Sequence, residues 1–563
     1  MSGRGAAPRG TRSPRPARLD MPIPLSLGGT GHVIESELEA KQQRTTTGGG
    51  TGAMRALLRP TLGDLLGIFL VLLVVLGGTR KMFGDADAAT HVATGRFILQ
   101  HHAIPRTDPF PTTFAGREWF AHEWLADIGM ALAHRWRGWE GVLLISAIVI
   151  ALSHVLLYRF LVRRGDDAIA SFGAVVAAAA TASSHWLARP HLLTVLFLVV
   201  LTILLEEVTR GARALGWLAA IPALVLAWVN VHGGFLVAFG ILACYGAGAL
   251  AEARPRAAGD EAGAREAGRA RALLLPLAVA AIGASLAVLA NPWGWRLPRH
   301  LLGFFAVRGA ALRGTTEFAA PSLDDRAGVA LLVFLLLAVA AALAGGRGTL
   351  RPGTLAAFAM SAAMAFTSVR HVEVLAVFGA IVIADGASAL LRRREGGAFG
   401  AELRSLRARE ERSGGGLLAL GVLGLAALAA CGLLPEAGFD EAQFPVRMVQ
   451  ALKAAGVRPS GPLLTPDVWG GYLILEWPEA QVYVDGRWDM RGDAYWERYS
   501  GIYLARPGWD RLLGEDGVSM ALLPPDAPLA AAMRASGAWQ VRSGDATALL
   551  FETRPQAADA KGG

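Results

Sequence analysis

Apolar residues run almost unbroken over 62–79, 141–161, 168–184, 192–208, 215–230, 234–251, 272–290, 327–344, 353–369, 372–391 and 415–434. Each run approaches the roughly 20 residues a helix needs to cross a bilayer, so the pattern predicts about eleven spans. The longest polar interval is 80–138, directly after the first run. Past residue 435 the pattern changes. Strand-like stretches "GPLLT", "YLILEW", "AQVYVDG", "VSMALLPP" and "ATALLFE" alternate with the helical "FPVRMVQALKAAG" and "DAYWERYSGIYL". The expected fold is mainly α: a polytopic membrane helix bundle over 59–434, with a small C-terminal α/β domain over 435–563.

Composition agrees with this reading. Of the 563 residues, 53% are hydrophobic and only 18% charged, far more apolar than an ordinary soluble chain. Residues 1–58 are rich in Gly, Arg, Pro, Ser and Thr and lack periodicity, which predicts a disordered cytoplasmic tail. No apolar segment of a signal peptide precedes residue 62, and Met21 and Met54 are alternative starting methionines. Cys244 and Cys431 both fall in apolar runs and read as small core residues.

Charge orders the spans. The N-terminal stretch and the loops at 159–167, 206–214, 252–271, 345–352 and 392–413 hold 28 of the 54 basic residues, which puts them and the N-terminus inside. The net charge of +8 is thereby explained by topology, and nucleic acid is not an expected partner. The C-terminal domain then lies outside the cytoplasm, as do the turns "GDADAATH" (84–91), "WFAHEWLAD" (119–127), "SSHWLARPH" (183–191), "WVNVHGGF" (228–235), "NPWGWRLPRH" (291–300) and "SVRHVE" (368–373). The polar and aromatic residues are concentrated on that side.

If "DAATHVATGRFILQHH" is a short interfacial helix, Asp87 and His91 share one face, with Asp85 a step before. A carboxylate there is placed to act as general base, or with Asp85 to hold a divalent cation such as Mg or Mn against a phosphate. The plainer alternative is a helix cap and a first-turn acid favoured by the helix dipole. Arg189 and Arg370 sit at span ends where a lipid-linked phosphate suits their charge, with His191 and His371 beside them; snorkelling to ordinary headgroups is the alternative. Trp186, Trp228 and Trp293 are candidate stacking surfaces for a sugar, or members of an interfacial aromatic belt. Asn230 and His232, together with His122 and Glu123, are candidate sugar or acceptor ligands, although Asn230 and His232 also suit a turn that satisfies its own backbone.

Other chemistries lack their signatures. "HEWLA" has no second His at the required spacing for a zinc helix, and the chain contains no Walker loop, G-x-S-x-G elbow or strand-linked G-x-G-x-x-G. A nucleotide-sugar donor is therefore not expected, and an outward-facing transferase needs an activated lipid.

In "DAATH" after the first span, and in its overall architecture from about residue 60 onward, the chain resembles the GT-C superfamily of polyprenyl-phosphate-dependent glycosyltransferases. Asp87 matches the acid and His91 the histidine of the D-x-x-x-H that opens the oligosaccharyltransferase first loop. "DVWGGYLI" (467–474) is similar in order to the W-W-D-Y-G stretch of that subunit, with Trp469, Gly471 and Tyr472, but lacks the paired Trp and the Asp. The run "GDADAATH…IPRTDPF…HEWLAD", with "WGGYL" and "VDGRWDM" in the tail, also looks like bacterial GT-C-like membrane proteins of unassigned substrate. The resemblance implies a multi-pass protein of a bacterial inner (plasma) membrane, in contact with membrane lipids. It would move a sugar with inversion from a polyprenyl-phosphate donor to a glycan, lipid or protein acceptor. Asp87 with Asp85 and His91 would be catalytic, and Trp469, Tyr472, Asp485, Arg487 and Asp489 would help to bind the acceptor. A strand-end turn is the plainer reading of "VDGRWDM". A flippase for a lipid-linked glycan and a non-catalytic envelope-assembly protein are the rival functions.

Overall fold

The eleven apolar runs all become helices. A computed structural model describes residues 59–554 apart from 255–259, 307–308, 311–313, 315, 347–349, 394–396 and 412–415, so the expectation for 1–58 lies outside the described residues. In chain order, α1 is Leu62–Gly77, α2 Asp87–His101, α3 Trp124–Arg164, α4 Ala168–Ala182, α5 His191–Arg210, α6 Ala220–Val229, α7 Leu236–Glu252, α8 Glu261–Ala287, α9 Arg296–Ala306, α10 Arg326–Gly345, α11 Pro352–Thr367, α12 Val372–Arg392, α13 Gly397–Glu411 and α14 Gly416–Ala430. Among the described residues seven helices are long and apolar enough to cross a membrane: α3, α5, α8, α10, and α4, α7 and α12 with the 3₁₀ turns that flank them. Four apolar helices are shorter: α1, α6 with its preceding turn, α11 and α14.

What these helices expose identifies their solvent. Along α8, Leu275, Val279, Ile282 and Leu286 form one stripe, each about 60–70% exposed. A face of that kind suits lipid, since soluble monomers rarely expose so large an apolar patch. The chain is a polytopic membrane protein.

α2 packs against the first part of α3. Inside α3, Arg137 and Gly138 leave helical geometry, with φ of −149° and +57°, so the span proper begins after this break. α2 rests on the start of α3 because position 95 is glycine: a Cβ there would lie 2.0 Å from the Asp127 carbonyl oxygen.

The tail continues with α15 (Val446–Ala454), β1 (Leu463–Leu464), α16 (Asp467–Glu476), α17 (Asp493–Tyr503), α18 (Trp509–Glu515), β2 (Met520–Leu523), α19 (Pro528–Ser536), β3 (Trp539–Gly544) and β4 (Leu549–Thr553). Its sheet has the order β1-β2-β4-β3, with β1 parallel to β2 and the other pairs antiparallel. Two expected strands differ. "YLILEW" lies largely in α16, whose apolar residues are buried around most of its circumference and therefore show no strand alternation. "AQVYVDG" makes only isolated bridges from Val482 to Leu463 and Thr112.

The tail is not a body apart from the bundle, because residues from Leu58 onward form one compact unit. Phe439, Phe444, Trp469, Tyr472 and Trp477 belong to the same apolar core as the spans, while Leu464, Val484, Tyr499, Ile502 and Phe551 build a second core around the sheet. Both cysteines are free; Cys431 is exposed, which corrects its expected place in the core.

Candidate active site at one end of the bundle

The polar turns come together at one end of the bundle. Asp85 follows α1, Arg189 joins α4 to α5, His232 joins α6 to α7, Glu317 precedes α10 and Arg370 joins α11 to α12. All are on the same end of the bundle, against α2 and the start of α3.

One cluster centres on Arg189. Its Nε donates to Asp85 Oδ1 at 3.0 Å and its Nη2 to Asp85 Oδ2, while Nη1 lies 3.0 Å from Asp87 Oδ2 and 3.3 Å from Glu317. Arg189 is thus engaged by three acids, which corrects its expected availability to a phosphate. Burial works against the charge of Glu317, but Arg189 above all, with Arg370, outweighs it and holds that carboxyl down at about 2. Asp87 is the most open of the three acids, its side chain 34% exposed. Loss of water and the nearby Asp85 and Glu317 outweigh the pull of Arg189, and Asp87 is pushed up to about 6.

A second cluster surrounds Glu123. His91 Nε2, His122 Nε2 and His232 Nε2 lie 3.5, 3.6 and 3.4 Å from its oxygens. Burial alone would raise Glu123, yet these imidazoles and Arg370 lower it below the usual range. His91 Nδ1 donates to Asp127 Oδ1 at 2.7 Å. Burial opposes its charge, but Asp127, Glu123 and Asp87 together raise it to about 9, so it is an imidazolium at neutral pH. The added stability is complete below the ordinary histidine value of about 6.5 and is lost as pH climbs through about 9. The melting temperature of the wild type is expected to fall over that window, and His91→Asn is expected to lack that component of the slope.

His232 is held differently. Trp228 Nε1 donates to Thr194 Oγ1 at 2.8 Å, that hydroxyl lies 2.8 Å from His232 Nδ1, and the Gly234 N–H donates to the same nitrogen at 3.0 Å. With Nδ1 accepting, the proton sits on Nε2 and points to Glu123. Arg370 Nη2, 3.3 Å from that Nε2, therefore gains no acceptor there, and Arg370 forms no ion pair among the described residues. Its guanidinium lies 5.1 Å from the Phe318 ring centroid, and its charge helps to keep Glu123 and Glu317 ionised.

Other expected contributors are placed elsewhere. Trp186, Trp228 and Trp293 are buried, Trp228 completely, and offer no open ring face for a sugar. Asn230 accepts from Trp124 Nε1 and donates to the carbonyls of Leu226 and Ala290, so it locks the turn. His191 bonds the His185 carbonyl and lies 3.8 Å from the buried Glu373, while His371 bonds the Met364 carbonyl. Trp469 and Tyr472 are buried, the former bonded to the Gln443 carbonyl and the latter packed on Phe439. Asp485 is fully buried between Arg487 and Arg491, and Arg487 also holds Asp108 at 2.8 Å over the ring of Trp119. Arg487 staples the tail to the first loop through Asp108, while Trp469, Tyr472 and Asp485 bond or stack within the tail. The staple nonetheless reaches the site: a Cβ on Gly486 would lie 2.7 Å from Asp87 Oδ1.

Asp127 and Glu317 were not foreseen. Asp127 lies within "HEWLAD", and Glu317 is the only acid between residues 292 and 323, a signal that was present in the sequence.

For a divalent cation, the donor set at Asp85 and Asp87 fits poorly. Both oxygens of Asp85 already accept from Arg189, so a cation would have to displace that guanidinium. Among the described residues no group of three or more His, Cys, Asp or Glu is disposed to hold a metal ion.

No protein-family model matches the chain, and no curated protein does. Two solved structures share some of its shape. The oligosaccharyltransferase of Archaeoglobus fulgidus, in complex with Zn and sulfate, is 13% identical with a TM-score of 0.46, covering 82% of this chain and 68% of that one. ArnT from Cupriavidus metallidurans, bound to undecaprenyl phosphate, is 13% identical with a TM-score of 0.41, covering 88% and 99%. The likeness is loose at these scores.

Proposed function

We propose that the chain is a membrane-integral, inverting glycosyltransferase that moves a sugar from a polyprenyl-phosphate donor to an acceptor outside the cytoplasm of a bacterial cell. The observation that carries this reading is the setting of Asp87: a partly exposed carboxyl pushed up to about 6 at one end of an apolar helix bundle, held by Arg189 beside Asp85 and Glu317. A base of that strength is mostly ionised at neutral pH and still accepts a proton readily.

In the proposed step the acceptor hydroxyl or amine gives its proton to Asp87 as its oxygen or nitrogen bonds to the anomeric carbon. The bond from that carbon to the phosphate oxygen breaks, and the polyprenyl phosphate leaves with the electron pair. Arg370 meets the charge that grows on the phosphate, as a fixed donor group does best where water is scarce. Arg189 holds Asp85 and Asp87 in place, and the apolar helix faces carry the polyprenyl tail. The basic inner loops support the orientation.

The test is incubation of the purified full chain with radiolabelled polyprenyl-phosphate hexoses and extracted envelope acceptors. Labelled acceptor and free polyprenyl phosphate are the expected products. Movement of the intact donor across vesicles with no transfer would replace this reading by that of a flippase.

A further inference from the structure

Three distant segments meet beside the Glu123 cluster and enclose a cleft of about 190 Å³. Glu118, Trp119 and Phe120 come from the strand-like stretch before α3, His300 from α9, and Asp489 and Met490 from the tail. The walls are fixed from behind. Trp119 packs under Arg487, whose centre is 4.6 Å from the ring, and the Trp119 N–H donates to the Arg106 carbonyl at 3.0 Å. Phe120 stacks on the His300 imidazole with centroids 4.4 Å apart and planes 14° apart. His300 Nε2 lies 3.2 Å from Asp489 Oδ2, and Glu118 pairs with Arg296 at the rim.

We propose that this cleft binds a single sugar ring of the acceptor, an inference that rests on the transferase reading. The space is comparable to one hexose. Half-buried Phe120 and the Met490 thioether give the cleft an apolar side, and the Asp489 and Glu118 carboxylates accept from hydroxyls that His300 and Arg296 can also reach. Its position suits an acceptor subsite. The His122 Nδ1–H donates to the Phe120 carbonyl at 3.1 Å, so one short stretch of backbone carries both the cleft wall and a histidine of the Glu123 cluster.

The experiment is saturation-transfer NMR on the detergent-solubilised full chain, with the methyl glycosides of glucose, galactose, mannose and N-acetylglucosamine as probes. At least one glycoside is expected to bind wild type and Asp87→Asn equally. Asp489→Ala and His300→Ala are expected to weaken it by about tenfold, the loss of one hydrogen bond to a charged group. Glu118→Gln, at an exposed rim position, should reduce binding with the melting temperature unchanged and guards against a merely misfolded variant. No binding by wild type, or binding unaltered in all three cleft variants, overturns the proposal. Binding is read here without turnover, so an inactive protein that still holds the sugar counts against the transferase and not against the cleft.

Discussion

Asp87→Asn is expected to lower transfer by about 10²–10⁴-fold, the range a positioned general base contributes, with the protein still folded. The amide keeps the shape of the side chain but accepts no proton. Arg189 retains Asp85 and Glu317 as partners, so its cluster survives the change. The wild-type rate should rise with pH as Asp87 ionises around pH 6 and then level, whereas the variant lacks that limb. A pH–rate profile of both proteins checks this. Undiminished activity in Asp87→Asn would remove the residue from the chemistry, and undiminished lipid translocation is what a flippase would give.

Arg189→Ala is expected to be the most destabilising single change in the site. It strips the counter-charge from Asp85 and Glu317, both largely shielded from water, and breaking such pairs typically costs about 3–5 kcal/mol. Denaturant titration in detergent measures it, and adding Asp85→Asn to Arg189→Ala should restore part of the loss by removing one stranded charge. Arg189 also pulls the Asp87 pKa down, so any residual activity of Arg189→Ala should have its acid limb at higher pH than wild type. A loss below about 1 kcal/mol would mean that the cluster behaves as an exposed, screened set of pairs.

The apolar helices and the shared end of the polar turns were legible in the sequence, because burial in lipid demands long apolar runs and successive helices return alternate turns to one end. The facing of Asp87 and His91 followed from their spacing of four on α2. Their partners did not. Asp127 and Glu317 reach the site through packing: Gly95 lets α2 lie against α3, and Glu317 arrives from a segment more than two hundred residues along the chain. Trp186, Trp228 and Trp293 look interfacial from their neighbours in sequence, yet the bundle closes over them. In the tail, the mostly buried α16 hides its helical period, and β3, with Arg, Ser and Gly on an exposed edge, carries little strand signal.

The glycine at 486 joins the two extremes of the molecule. Translation makes Asp87 within the first sixth of the chain, whereas the backbone that abuts it emerges only after every span has been threaded. A ribosome-bound intermediate therefore carries the acid without its final enclosure, and the wall behind Asp87 closes only when synthesis is nearly finished.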